Sequence, residues 1–269
     1  MHLRGNTAAG KTRAIRGNIP ELEGPVEKTK DLPHRAVNPD NFKVDLVRAT
    51  PDIPLTSSQV HEESSMLARQ LESRIRDLRT SDGTEVGSLL IDKRLAKAED
   101  VVGYGKLAAE TSRQLNVYDV DAPLENSLAG VLERKPGGTD PLPPYDVISK
   151  GFKDVRANRV AVLQYFQKHP ELGKYELYGT TAVGAKVKVA EVVNGKLAIH
   201  DKEQFAQVTK NPATDPAFQA KANEKITADA VEGMVAKLPP ERAATVREVM
   251  RPHLGQTWKQ ALDQHSLSS

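Results

Sequence analysis

The chain has 269 residues, of which 38% are hydrophobic, 28% charged and 4% aromatic, enough for one large domain or a core with an appendage. Its 38 basic and 36 acidic residues nearly cancel, at +2, so charge makes no case for nucleic acid or a membrane surface as a partner. The absence of cysteine excludes disulfides, thiolate catalysis and Cys-ligated zinc. No stretch approaches the roughly 20 apolar residues of a membrane span, and none forms a signal-peptide core.

The first element in chain order is also the most informative. Gly5-Asn6-Thr7-Ala8-Ala9-Gly10-Lys11-Thr12 is a complete G-x-x-x-x-G-K-T phosphate loop. The glycines let backbone N–H groups curl around an anionic phosphate, Lys11 neutralises the β- and γ-phosphates, and the Thr12 hydroxyl is placed to ligate Mg²⁺. A helix starting near Lys11 points its positive end at the same anion. Only Met1-His2-Leu3-Arg4 precede Gly5, where a strand of about five residues is expected. Either that strand is very short or the chain is cut from a longer one.

After a Gly/Pro-rich, charged excursion over 17–33, short apolar runs alternate with helical patterns, which predicts β-α-β units and a parallel sheet. Arg35-Ala36-Val37 reads as a short strand running into Asn38-Pro39-Asp40. A long amphipathic helix is expected over 57–79, with Val60, Met66, Leu67, Leu71 and Ile75 on its apolar face. Residues 86–91 read as a buried strand ending in Asp92. A helix over 96–113, a strand over 115–120 and a helix opened by Pro123 and carrying Arg134 near its end follow. The Pro/Gly-rich segment 136–144 then leads to one helix over 145–168, and a fifth strand covers 175–178.

Beyond that point the pattern changes. Residues 187–193 and 196–199 flank Asn194-Gly195, a hairpin signal. From about 202 onward the chain is helical and polar, with Trp258, the only tryptophan, expected to anchor it. The predicted architecture is therefore α/β: a P-loop NTPase-like parallel sheet flanked by helices, with a β-hairpin and a helical C-terminal extension. The division falls into a core over 1–205 and an extension over 206–269.

The order of motifs resembles the zeta-toxin family of small-molecule kinases, including bacterial effectors that phosphorylate NAD. The likeness covers about residues 3–205 and is carried by Gly5–Thr12, by Asp40-Asn41-Phe42-Lys43, by the strand end Leu90-Ile91-Asp92, and by Asn126-Ser127 with Arg134. It implies a kinase that uses Mg²⁺ and ATP, or GTP, to phosphorylate a hydroxyl of a nucleotide sugar or NAD-like molecule. A toxin or effector role follows, in a bacterial cytoplasm or a host cell, with an antitoxin or chaperone as a possible partner.

Within that resemblance each residue has a chemical reason and a plainer alternative. Asp40 would orient or accept the hydroxyl proton, as a loop aspartate after the second strand; Asn-Pro-Asp also suits an ordinary turn. Arg134 would match the equatorial oxygens of the transferring phosphoryl group; a cation near a helix C-terminus is also favoured by the dipole. Asp92 would contact substrate, hold Mg²⁺ as in other P-loop enzymes, or cap the next helix. Lys93-Arg94 follow it and suggest a substrate with extra phosphate. Glu62, in the first turn of the long helix, would touch substrate or simply favour the helix start.

The family also supplies a second arginine about a dozen residues after the first. Here that place falls in 137–141, which has none, and Lys150, Lys153 and Arg156 on one helix face are the nearest cations. Lys150 or Lys153 would take its place. Two other readings stay open: a P-loop NTPase or kinase with a different acceptor, in which Asp92 holds the metal and Asp40 is a turn, and a nucleotide-binding module without catalysis.

Overall fold

The computed structural model describes residues 1–11, 37–49, 53, 59–77, 89–136, 140–181 and 184–268. A six-stranded sheet in the order β2-β1-β3-β4-β5-β6 organises them. The strands are β1 (His2–Arg4), β2 (Ile91–Asp92), β3 (Val117–Val120), β4 (Tyr175–Thr180), β5 (Lys186–Val193) and β6 (Lys196–Ile199). The first four are parallel, and β5 and β6 add antiparallel to the far edge. The α/β architecture, the hairpin and the helical C-terminal end are those expected from the sequence.

β1 holds three residues and still forms the middle of the parallel part, because β2 and β3 pair with it on both sides and all three side chains are buried. Of the strand expected over 35–37, Val37 bridges Ile91 in parallel, and 35 and 36 lie outside the described residues. Of the run 86–91, Ile91 is the part seen as strand, continued by Asp92, and 86–88 also lie outside. The Asn194-Gly195 turn has φ of 51° and 72°, the left-handed pair that a two-residue hairpin of this twist requires.

Two expectations need correction. The helix over 145–168 is two helices, Tyr145–Ala157 and Arg159–Lys168, broken at Asn158. The break delivers the Arg159 guanidinium to Asp119 at 3.0 Å and Asp121 at 2.7 Å, which a straight helix would not be required to do. In the helix His61–Asp77, the buried side is Ser64, Ala68, Glu72 and Ile75, continuing from Val60, while Met66 is 52% exposed. That stripe runs in steps of four and three, and Met66 lies between its rows.

Trp258 does anchor the C-terminal helices. It is buried with Val246, Met250, Ala261 and Leu262 in a cluster that includes Leu128, Ile148 and Phe152 from the core helices Leu124–Leu132 and Tyr145–Ala157. The extension therefore covers helices of the core, not an open edge of the sheet. The proposed division at 205/206 lies inside the helix Lys202–Thr209.

Under the phosphate loop sits a buried charge network. Arg4 donates to Asp119, to Leu95 O at 2.9 Å and to Val155 O at 2.7 Å. Arg159 forms a fork with Asp119, and Tyr175 Oη donates to the same carboxylate at 2.7 Å. Burial alone would raise the Asp119 pKa, but Arg159 and Arg4 outweigh it and hold the carboxyl far below its ordinary range.

Candidate active site

β1 runs directly into the phosphate loop. Gly5 crosses so close to β3 that a Cβ there would stand 2.4 Å from Val120 O, and Gly10 has φ +86°, a conformation costly for other residues. Ala9 and Asn6 are buried, and Ala8 packs against Gly130 of the helix Leu124–Leu132. Lys11 carries the first helical residue; Thr12, the expected magnesium ligand, lies outside the described residues.

The Lys11 ammonium folds back over its own loop, donating to Gly5 O at 3.2 Å and Asn6 O at 3.0 Å. It stands 4.0 Å from Asp92 Oδ1. Burial lowers its pKa, Asp92 opposes the shift and Arg94 adds to it. Asp92 ends β2, buried, and burial raises its pKa, which Lys11 lowers and Asp40 raises. Asp92 does not cap the next helix: that helix is Ala98–Glu110, and its N-cap is Lys97.

Asp40 departs from its expected loop. It lies in the first turn of the helix Pro39–Ala49, where its N–H donates to Asn38 Oδ1 at 2.9 Å. Asn38 caps this helix and donates from Nδ2 to Asp92 Oδ2 at 3.4 Å, so one side chain ties Asp40's turn to β2. The turn reading and the site reading of Asn-Pro-Asp are thus both compatible with the structure. Lys43, one helical turn on and almost buried, pairs with Asp40 Oδ1 at 2.9 Å.

Arg134 sits just past the helix Leu124–Leu132, half-buried, with Nη1 donating to Pro141 O at 2.6 Å. Burial lowers its pKa, and Asp140 and Asp40 oppose the shift. The charge of Asp40 also acts on Lys11, Asp92 and Arg94. Lys11 and Asp92 meet beyond the C-terminal ends of β1 and β2, where open α/β sheets bind ligands, and the charges of Asp40 and Arg134 act on Lys11. Burial and the charge of Lys43 lower the pKa of His61, and Asp40 opposes the shift. Glu62 beside it is exposed.

The cations of the helix Tyr145–Ala157 divide. The helix does flank the loop: a Cβ on Gly151 would stand 2.7 Å from Asn6 Oδ1. Lys150 is 73% exposed and paired with Asp154, and Lys153 is exposed. Arg156 is committed elsewhere, forking onto Asp121 at 2.7 and 3.1 Å. One residue escaped the sequence reading. Lys186, at the start of β5, packs its Cε within 3.1 Å of a Cβ built on Gly10 and donates to Asp121 O at 2.8 Å. Lys186 and Lys188 alternate along β5, and no local signal distinguishes the one that reaches the loop.

Among the described residues no cluster of three or more acidic or histidine side chains could hold a metal, and no helix is long and apolar enough to cross a membrane. No protein-family model and no curated protein matches the chain. Solved structures do. The crystal structure of an AvrRxo1-ORF1:ORF2 complex matches at TM-score 0.88 and 40% identity over 98% of this chain and 78% of the other. The complex determined with ATP matches at 0.89 and 40%, over 98% and 79%. A structure of the PezAT toxin–antitoxin system of Streptococcus pneumoniae matches at 0.50 and 12%, which speaks to the fold alone. With 40% identity across nearly its whole length, the chain belongs to the AvrRxo1 family of zeta-toxin-like P-loop kinases.

Proposed function

We propose that the protein transfers the γ-phosphoryl group of ATP to a hydroxyl of a small nucleotide-containing substrate, a nucleotide sugar or NAD-like molecule, and acts thereby as a toxin or effector. The observation that carries this reading is the approach of Lys11 to the buried Asp92 at 4.0 Å beside the phosphate loop, with the charges of Asp40 and Arg134 acting on the same lysine. The AvrRxo1 complex determined with ATP supports ATP as the donor. The AvrRxo1 complexes hold two proteins, which supports a neutralising partner for this chain as well.

In this reading the amides of residues 5–11 cradle the phosphates and Lys11 leaves its two loop carbonyls for the β- and γ-phosphates. Asp40 orients the acceptor hydroxyl and takes its proton as the new P–O bond forms. Arg134 meets the equatorial oxygens. The buried carboxylate of Asp92, next to Lys11, fits a magnesium-facing group together with Thr12, and bound Mg²⁺ would neutralise charge on the β- and γ-oxygens. Lys150 and Lys153, on the helix that flanks the loop, and Glu62, in the first turn of the helix His61–Asp77, would meet the substrate from the solvent side.

Purified protein with labelled ATP and a panel of NAD and nucleotide sugars provides the test, alongside metabolite profiles of cells expressing the chain or its Lys11→Ala variant. Transfer to one class of acceptor is expected, and Asp40→Ala and Arg134→Ala should each lower it by at least about a hundredfold. ATP hydrolysis without transfer to any acceptor, unaffected by Asp40→Ala, would instead favour an NTPase in which Asp40 is only a helix-start residue.

A further inference from the structure

We propose that Arg94 is a second arginine of the transition state, contacting the γ-phosphoryl group from beside Thr7 of the phosphate loop. This rests on the kinase reading above and deepens it. The charge on a transferring phosphoryl group spreads over three equatorial oxygens, and cations placed there act more strongly on the transition state than on bound ATP. Lys11 and Arg134 alone leave part of that charge uncovered.

Arg94 is built to supply the rest. Its Nη2 donates to Thr7 Oγ1 at 3.0 Å, at the apex of the phosphate loop. Its Nη1 lies against Gly151, where a Cβ would come within 2.8 Å, so the helix Tyr145–Ala157 leaves it a slot with no side chain in the way. Its backbone is pinned to the same loop, because Arg94 O accepts from Gly5 N at 3.4 Å. The next residue, Leu95, is buried with φ +44°, a left-handed conformation that is strained for a non-glycine residue. Leu95 O in turn accepts from Arg4 Nε at 2.9 Å. A strained turn held by a buried arginine is thus what aims Arg94 at the loop.

Its neighbour shows the contrast. Lys93 is paired with Glu72 and donates to Tyr104 Oη at 3.3 Å, away from the loop. The Arg94 side chain makes one hydrogen bond among the described residues, to a hydroxyl that a phosphate oxygen can replace, and its other N–H groups can fork onto the same phosphoryl group. The charges of Asp40 and Asp154 also act on it.

Calorimetry with MgADP, with and without aluminium fluoride as a mimic of the transferring phosphoryl group, tests the assignment without knowledge of the acceptor. Fluoride should tighten MgADP binding to the wild type by at least about a hundredfold. In Arg94→Ala that gain should shrink by about ten- to a hundredfold, with affinity for MgADP alone kept within about threefold. Arg94→Lys should recover only part, since a lysine cannot form the fork. An unchanged fluoride gain in Arg94→Ala would overturn the proposal, as would an equal loss of MgADP affinity, which would mean that the residue only shapes the loop. If the wild type gains nothing from fluoride, the kinase reading itself fails and this assignment fails with it.

Discussion

Replacing Lys11 by alanine will reduce phosphoryl transfer from ATP by at least about a hundredfold, the usual loss for removing one preorganised charge from a transition state, and will leave the thermal midpoint nearly unchanged. Without nucleotide the ammonium contributes little to the fold. It donates to two carbonyls of its own loop, and its charge is partly desolvated beside Asp92 at 4.0 Å. Burial and Arg94 both lower its pKa, so the charged form gains its main stabilisation when phosphate oxygens arrive. Alanine removes a costly buried cation together with two hydrogen bonds, and these effects oppose each other. Labelled ATP with the accepted substrate, and a melting curve without ligand, read the two quantities separately. Normal transfer by Lys11→Ala would sink the assignment of the loop as the ATP site.

The largest effect on stability belongs to Asp119, far from any solvent. Asp119→Ala should destabilise the protein by about 3–5 kcal/mol, the range for removing one partner of a buried ion pair. The carboxylate takes hydrogen bonds from Arg4, Arg159 and Tyr175, and both arginine side chains and Asp119 itself have no exposed surface. Its loss leaves Arg4 without a counter-charge; Arg159 keeps Asp121 at 2.7 Å. Urea unfolding of wild type and variant gives the difference, and a change below about 1 kcal/mol would show that the network is not paired in solution. The pH dependence follows in sign. The folded pKa of Asp119 is depressed, so its contribution is present above the unfolded value of about 3.9 and is lost as pH falls from there toward the folded one. The same network touches function, because Arg4 also holds Leu95, whose turn aims Arg94.

Much of the site was legible in the sequence because its chemistry is local. The phosphate loop needs glycine where the backbone is left-handed or crowded, and Gly5 and Gly10 occupy such positions. Asn-Gly sets the hairpin for the same backbone reason. Asp92 and Arg134 were marked by the ends of apolar elements; Asp92 stands 4.0 Å from Lys11, and the charge of Arg134 acts on the same lysine. Asp40 was placed in a loop, yet Asn38 and Pro39 start a helix one residue earlier, a cap followed by a proline at the first helical position.

The sequence by itself determined the fold class, the strand that carries the phosphate loop and the charges that could serve a kinase, since each depends on periodicity or on a motif a few residues long. Which charges serve was decided only by tertiary structure. Lys93 and Arg94 are adjacent and chemically alike in the sequence, but Glu72, brought inward by the helix His61–Asp77, takes Lys93 and leaves Arg94 to Thr7. Lys150, Lys153 and Arg156 share one helical face in the sequence, but Asp121, just past β3, claims Arg156. Lys186 reaches Gly10 only through the register of β5 on β4. A long-range ion pair depends on the distance between elements that the packed core sets, and no local pattern of residues encodes that distance.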